Sequence, residues 1–264
     1  MDLKLKDKTA LVTGSTDGIG YAIAKSLANE GAEVIVNGRT GERVNAAIEK
    51  IKSETGNQNI SGAVADFGNI EQVNLIIQQY ADVNILVNNV GIADAKNFKE
   101  ISDEDWMHVY EINVLSGVRL SRAYFDHMLK ANWGRIIFIS SESAVQIPAE
   151  MISYGVSKTA QMALSRGLAE LTVGTGVTVN TILPGPTSTE AIINFMKSTA
   201  KQQGISDDQM KKEFFTSMRG TSILKRFITP EEIANMVTFI ASPLSSATNG
   251  AALRADGGVI KSVF

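Results

Sequence analysis

The sequence predicts an α/β protein built on one doubly wound parallel sheet of about seven strands, with helices on both faces. Three observations predict it. Short apolar runs alternate with longer amphipathic segments along the whole chain. The runs are β-branched and nearly unbroken in hydrophobicity, as strands covered on both faces require. A glycine-rich turn stands between the first run and the first amphipathic segment. Strand–helix alternation implies right-handed crossovers and therefore parallel pairing.

The strand runs, in order, are Ala10–Val12, Glu33–Val36, Gly62–Ala65, Ile85–Val87, Arg135–Ile139, Val177–Ile182 and Ala251–Leu253. The helical patterns between them cover Ile19–Asn29, Glu42–Glu54, Ile70–Tyr80, Asp103–Lys130, Met151–Leu171 and Pro230–Ala241. Two helix starts are marked locally. Ser102-Asp103-Glu104-Asp105 puts a capping residue and acids in a first turn, where the helix dipole favours them. Thr229-Pro230-Glu231-Glu232 adds a proline at the first helical position. These acidic clusters are read as structural, and no metal site is expected.

Bulk composition narrows the function classes. The chain has 264 residues, 44% of them hydrophobic and 20% charged, with a formal net charge of −3. That suits one domain, 1–264, and supplies no electrostatic footprint for nucleic acid. Absence of cysteine removes disulfides, thiolate metal sites and a cysteine nucleophile, and fits a reducing cytoplasm. Met1 to Ala10 lack the apolar centre of a signal peptide. No stretch reaches the roughly 18 apolar residues of a membrane span. A cytoplasmic protein without a membrane partner is expected.

One segment breaks the rhythm. Between Pro186 and the helix at Pro230, residues 187–228 carry Ile192, Ile193, Phe195, Met196, Phe214, Phe215 and Met218 among polar side chains. An apolar-faced insert after a strand end reads as a substrate lid. The alternative is a helical hairpin packed on the body.

The turn Thr13-Gly14-Ser15-Thr16-Asp17-Gly18-Ile19-Gly20 has the order strand, glycines, helix that a pyrophosphate site needs. Gly14 allows the sharp exit from the strand, Gly18 the close approach of backbone to phosphate, and Gly20 the packing of helix on strand. No Lys-Ser/Thr follows, which excludes a Walker loop. At the second strand's end the chain reads Val36-Asn37-Gly38-Arg39-Thr40, without the acid that accepts ribose hydroxyls in NAD sites. Arg39 suits a 2′-phosphate. NADP(H) is therefore favoured, while Asp17 argues for NAD(H), which stays possible.

Tyr154 and Lys158 lie four positions apart on one helix face, so a cation stands beside a phenol. Ser141 follows one strand, Asn88-Asn89-Val90-Gly91 another and Pro184-Gly185 a third, and strand carboxyl ends gather on one rim of an open α/β sheet. With these motifs in hand, the chain resembles the short-chain dehydrogenase/reductase family over nearly its whole length. The matches run in order: Thr13–Gly20, Asp66, Asn88–Gly91, Asn113, Ser141, Tyr154-Gly155-Val156-Ser157-Lys158, Pro184-Gly185 and Ala255-Asp256-Gly257-Gly258.

The resemblance implies a Rossmann-type fold with a helical substrate lid, and a homotetramer. It implies that Tyr154 is the general acid for carbonyl reduction and the base for alcohol oxidation. Lys158 would bind the nicotinamide ribose and lower the phenol's pKa, Ser141 would hydrogen-bond the substrate oxygen, and Asn113 would support a water-linked proton path. It also implies cofactor contacts from Gly14, Ser15, Thr16, Asp17, Gly18, Ile19 and Gly20. Asp66 with the Phe67 backbone would touch adenine, Asn89, Val90 and Gly91 the ribose side, and Pro184, Gly185 and Thr187 the carboxamide side.

Elementary chemistry agrees, because free tyrosine titrates near pH ~10 and needs nearby positive charge to ionise lower. By pattern the chain is most similar to 3-oxoacyl-carrier-protein reductase-like members. The stretches beside the entrance, Leu129–Gly134 and Leu171–Gly176, offer an acidic carrier only one cation, Lys130. A small free carbonyl or alcohol is therefore the expected substrate. A non-catalytic NADP(H)-binding regulator would be expected to lack Tyr154 or Lys158, and a serine hydrolase needs a G-x-S-x-G elbow that the chain does not have. Glu142, beside Ser141, leaves two readings open: it receives a polar or hydroxylated group, or it points to solvent.

Overall fold

The computed structural model describes residues 2–93 and 95–263. Its strands are β1 (Thr9–Val12), β2 (Glu33–Gly38), β3 (Ile60–Val64), β4 (Ile85–Asn88), β5 (Gly134–Ile139), β6 (Val177–Pro184) and β7 (Ala252–Ala255). They form one parallel sheet in the order β3-β2-β1-β4-β5-β6-β7. The order reverses between β1 and β4, where Val12 pairs with Val36 on one side and Val87 on the other. The carboxyl ends of β1 and β4 thus open a crevice at the switch point, where ligands bind in open α/β sheets.

Helices α1 (Gly18–Asn29), α2 (Gly41–Thr55), α3 (Ile70–Gln79), α4 (Asp103–Tyr110), α5 (Ser116–Lys130) and α6 (Ile152–Glu170) follow the strands in turn. Later come α7 (Glu190–Gln203), α8 (Asp207–Glu213) and α9 (Pro230–Ala241). The sheet divides the core by the two-residue period of its strands. Ala10 and Val12 face α1, α2 and α9 and pack with Ile23, Leu27, Ile51 and Val237. Leu11 faces the opposite layer with Val73, Ile76, Leu120, Tyr124 and Met128. β5 repeats this, with Ile137 and Ile139 on the first face and Ile136 and Phe138 on the second. Each buried Val, Leu, Ile, Phe or Met among these contributes about 1.5–3 kcal/mol by leaving water.

The helix expected over 103–130 is not continuous. Glu111–Leu115 form a π-helical turn between α4 and α5. This widened turn sets Asn113 facing α6, and the Asn113 carbonyl accepts from Gln161 Nε2 on that helix.

Residues 187–228 are largely helical, containing α7, α8 and a π turn at Phe214–Met218. Thr189 and Ser206 cap the two helices, and Gly204 ends α7 at φ 69°. The segment has its own small core of Met196, Ala200 and Met210, joined by Phe214 and Phe227. It leaves and rejoins the body at one place: Thr187 bridges Ile228, Ser188 N donates to Ile228 O at 2.8 Å, and Ile228 N to Pro186 O at 2.9 Å. Among the described residues no helix is long and apolar enough to cross a membrane.

Candidate active site

The turn after β1 is built as its glycines require. Gly14 and Gly18 have φ of 59° and 56°, the left-handed region that costs other residues energy. A Cβ on Gly20 would lie 2.3 Å from Gly14 O, so α1 reaches the turn only because that position is glycine. Asn37, at the end of β2, holds the turn from below by accepting from Gly14 N at 2.8 Å. Ser15 is buried, with its hydroxyl donating to Val12 O at 2.6 Å, so it supports the turn from inside. Asp17 caps α1 through Gly18 N. Thr13 Oγ1 accepts from the backbone N–H groups of Asn89 and Val90, and Asn89 Nδ2 donates to Thr13 O at 2.9 Å. The turn and the end of β4 are therefore one rigid rim, with Ile19 lining the cavity beside it.

Toward the adenosine side, Arg39 is exposed beyond β2. Arg43, in the first turn of α2, lies 3.9 Å from the Asp17 carboxylate. Gly38 carries no side chain where an NAD site has its acid, and a Cβ there would press on Thr16 at 2.5 Å. Asp66 is exposed and accepts from Gly68 N. Phe67 is buried in the core with Leu11 and Val73, which leaves only its backbone for a ligand.

Ser141, Tyr154 and Lys158 line one cavity of about 360 Å³ with Asn89, Gly91, Pro184, Gly185 and Thr187. Lys158 is 3% exposed, and its Nζ donates to Ile139 O at 2.8 Å and Gln161 Oε1 at 3.1 Å. Burial lowers its pKa from 10.5 to about 7. Gly91 keeps open the space beside it: a Cβ there would meet Lys158 Nζ at 3.0 Å. Lys158 Nζ sits 5.6 Å from the Tyr154 ring centroid.

Tyr154 departs from the expected lowering. Burial pushes its phenol up to about 12, opposed by the Ser141 hydroxyl, raised further by Glu142 and lowered by Arg219. In the free chain Lys158 is turned to backbone and Gln161, so desolvation wins.

Asn113 is fully buried. Its Oδ1 accepts from Ile92 N at 2.7 Å, and its Nδ2 donates to Ile92 O and Ser157 Oγ, each at 2.9 Å. It pins the segment after β4 to α6, the helix that carries Tyr154 and Lys158. Gln161, one turn beyond Lys158, joins that lysine to the Asn113 carbonyl and was missed by sequence reasoning. Thr187 is buried, with its hydroxyl donating to Gly185 O at 2.9 Å.

Glu142 does not point to solvent. It is 4% exposed; its Oε2 accepts from Ser141 Oγ at 2.6 Å and Ser143 N at 2.9 Å, and its Oε1 from Arg219 Nε at 2.9 Å. Arg219, just past the Phe214–Met218 turn, is 77 residues away in sequence, and no local pattern announced it. The same cavity is lined by Ile192, Phe195, Met196, Phe214, Met218 and Phe227. A larger cavity of about 920 Å³ shares Ile192, Met196 and Phe227 as one wall but holds none of the predicted catalytic residues.

The residues and their order have counterparts elsewhere. The short chain dehydrogenase family matches residues 8–200. An uncharacterized oxidoreductase, YvaG, of Bacillus subtilis strain 168 is 49% identical over the full length of both chains. A 3-oxoacyl-[acyl-carrier-protein] reductase of Aquifex aeolicus is 31% identical, covering 98% of this chain and all of its own. L-sorbose reductase from Gluconobacter frateurii, in a crystal structure complexed with NADPH and L-sorbose, superposes with a TM-score of 0.93 at 31% identity, covering 100% of each chain. With its seven-stranded parallel sheet and these matches, the chain belongs to the short chain dehydrogenase family and is a dehydrogenase/reductase.

Proposed function

We propose that the chain interconverts the carbonyl of a small molecule and the matching secondary alcohol, with NADP(H) preferred over NAD(H). The observation that carries this reading is the convergence of Ser141, Tyr154 and Lys158 on one cavity at the rim of the glycine turn. The turn suits a pyrophosphate because Gly14 and Gly18 open its backbone and a Cβ on Gly20 would fill it. Gly14–Gly20 and Asn89 would hold the phosphates and ribose, Lys158 the nicotinamide ribose, and Arg39 with Arg43 the adenosine end. The dinucleotide, when bound, supplies or removes a hydride.

The protein's part is orientation and proton transfer. The Ser141 hydroxyl donates to the substrate oxygen and steadies the charge that develops there. Tyr154, protonated at neutral pH, gives its phenolic proton to that oxygen during reduction; in oxidation the phenol must first lose its proton to solvent, and the phenolate then takes the alcohol's. The lid, 187–228, shelters the substrate with Phe195, Phe214 and Met218. The NADPH and L-sorbose named for the Gluconobacter frateurii enzyme support both the cofactor and a small free carbonyl.

Absorbance of the reduced cofactor provides the test, using a panel of ketones, ketoses and carrier-protein thioesters with NADPH and with NADH. Turnover of free ketones with NADPH at the higher kcat/KM is expected. Oxidation of neither cofactor by any carbonyl would overturn the reading, and a clear preference for the carrier-protein substrate would overturn its substrate class.

A further inference from the structure

We infer that Glu142, held by Arg219 of the lid, is a specificity-determining residue that selects carbonyl substrates bearing a hydroxyl on the neighbouring carbon. The inference rests on the proposed reduction at Ser141 and Tyr154 and adds the substrate class to it.

Ser141 has one hydroxyl hydrogen, for which Glu142 Oε2, 2.6 Å away, competes with the Tyr154 oxygen. The same oxygen accepts from Ser143 N, while the other carboxylate oxygen is committed to Arg219. Both side chains are withdrawn from water, Glu142 at 6% and Arg219 at 11% side-chain exposure, yet both line the cavity that holds Tyr154. A buried ion pair of this kind is weakly stabilising compared with apolar residues of the same shape. Its presence one residue from the reactive serine calls for a reason in binding.

The reason follows from counting hydrogens. A plain ketone can accept from Ser141 only by taking its hydrogen from Glu142. One oxygen of a buried carboxylate then keeps Ser143 N alone. A ketone with an adjacent hydroxyl satisfies both groups: its carbonyl oxygen accepts from Ser141, and its hydroxyl replaces Ser141 as donor to Glu142. The spacing fits, because oxygens on adjacent carbons lie on the order of 3 Å apart when gauche or eclipsed. Ser141 Oγ and Glu142 Oε2 are a similar distance from each other. Polar groups sit at the reacting centre, and the rest of the lining includes Phe195, Phe214 and Met218. The selection therefore acts next to the carbonyl rather than along the whole substrate. Arg219 is the positioning partner that keeps Glu142 aimed. Because it belongs to the lid, the subsite is complete only with the lid in place.

The test uses matched ketone pairs that differ only in that hydroxyl, beginning with 1-hydroxybutan-2-one and butan-2-one and extending to longer pairs. The readout is the ratio of the two kcat/KM values. Comparing this ratio in the wild type with that in Glu142→Ala separates the contribution of Glu142 from the ketones' intrinsic reactivity. The ratio is expected to fall roughly 10- to 100-fold in the variant, as for loss of a hydrogen bond to a charged group. Glu142→Gln, which keeps the shape and one acceptor oxygen, is expected between the two. Because Glu142→Ala leaves Arg219 with only the longer pairing to Glu150, at 3.6 Å, Glu142→Ala/Arg219→Ala is measured alongside, with thermal melting to establish that each variant is folded. A merely structural role would slow both ketones equally. A ratio that moves by less than about threefold, the ordinary scale of non-additivity, therefore overturns the inference and leaves carbonyl reduction standing. Failure of the wild type to reduce any ketone of any pair with either cofactor overturns carbonyl reduction and the inference with it.

Discussion

Replacing Gly20 by alanine places a methyl carbon 2.3 Å from Gly14 O and 2.6 Å from Asn89 Nδ2. In an isolated helix the change would help, since alanine is favoured over glycine by about 1 kcal/mol. Here α1 must move off the turn and Asn89 must give way. Overpacking of this kind costs about 1–3 kcal/mol. Displacing Asn89 also forfeits its bonds to Thr13 O and Gly14 O, each worth about 0.5–1.5 kcal/mol. After the helix-propensity gain, the net loss is about 3 kcal/mol, which for a chain of this size lowers the melting temperature by roughly 6–12 °C. The same movement reshapes the turn, so NADPH affinity is expected to fall more than about tenfold, equivalent to ~1.4 kcal/mol. Differential scanning calorimetry and a fluorescence titration with NADPH read the two effects. Gly41→Ala is the control, because a Cβ there meets nothing within 4 Å, and it should leave stability unchanged or slightly raised. A Gly20→Ala protein melting within about 1 °C of the wild type, with unchanged NADPH affinity, would refute this account of the turn.

Tyr154→Phe should lower kcat by roughly 10²- to 10⁴-fold while NADPH still binds, as a titration alongside the turnover assay would check. The pKa of Lys158 is about 7 in the fold against 10.5 for the free side chain, so between those values the unfolded chain carries a proton that the folded one lacks. Stability should therefore rise as pH increases from about 7 toward 10, and that increment should be missing in Lys158→Met when melting temperatures of the two are compared. Tyr154 acts in the opposite sense only above pH ~10, where its unfolded form begins to ionise. Arg39→Ala and Arg43→Ala should each weaken NADPH about tenfold and NADH little, measured by titration; equal losses for both cofactors would remove the 2′-phosphate assignment.

What could be read beforehand was whatever the chain encodes within a few residues. The apolar run Arg135–Ile139 became β5 within one residue, and the boxes at Ser102 and Thr229 cap α4 and α9 as their spacing suggested. The rim could be assembled because strand order in a parallel sheet fixes where strand ends meet. The π turn at Glu111–Leu115 was not legible, since the group that engages its freed carbonyl, Gln161, lies on another helix. The helices of 187–228 could have been found from Thr189-Glu190 and Ser206-Asp207-Asp208, whose capping signals resemble those read elsewhere. Arg219 is a different case. A lone arginine in a polar stretch gains meaning only when folding brings it to Glu142.

The pinched base of residues 187–228 has an evolutionary consequence. Because Thr187 and Ile228 meet, the roughly forty residues between them form a cassette whose two ends are fixed at one point of the scaffold. Lengthening or shortening such a loop changes its closure entropy only logarithmically, about 0.6 kcal/mol per doubling. The sheet, the glycine turn and the Tyr154–Lys158 helix lie outside the cassette and need not register the change. A grafted segment that keeps the Thr187–Ile228 bridge and an arginine facing Glu142 would bring a new pocket wall to unchanged chemistry. Exchange of that one module would thus leave the sheet, the glycine turn and the Tyr154–Lys158 helix as they are.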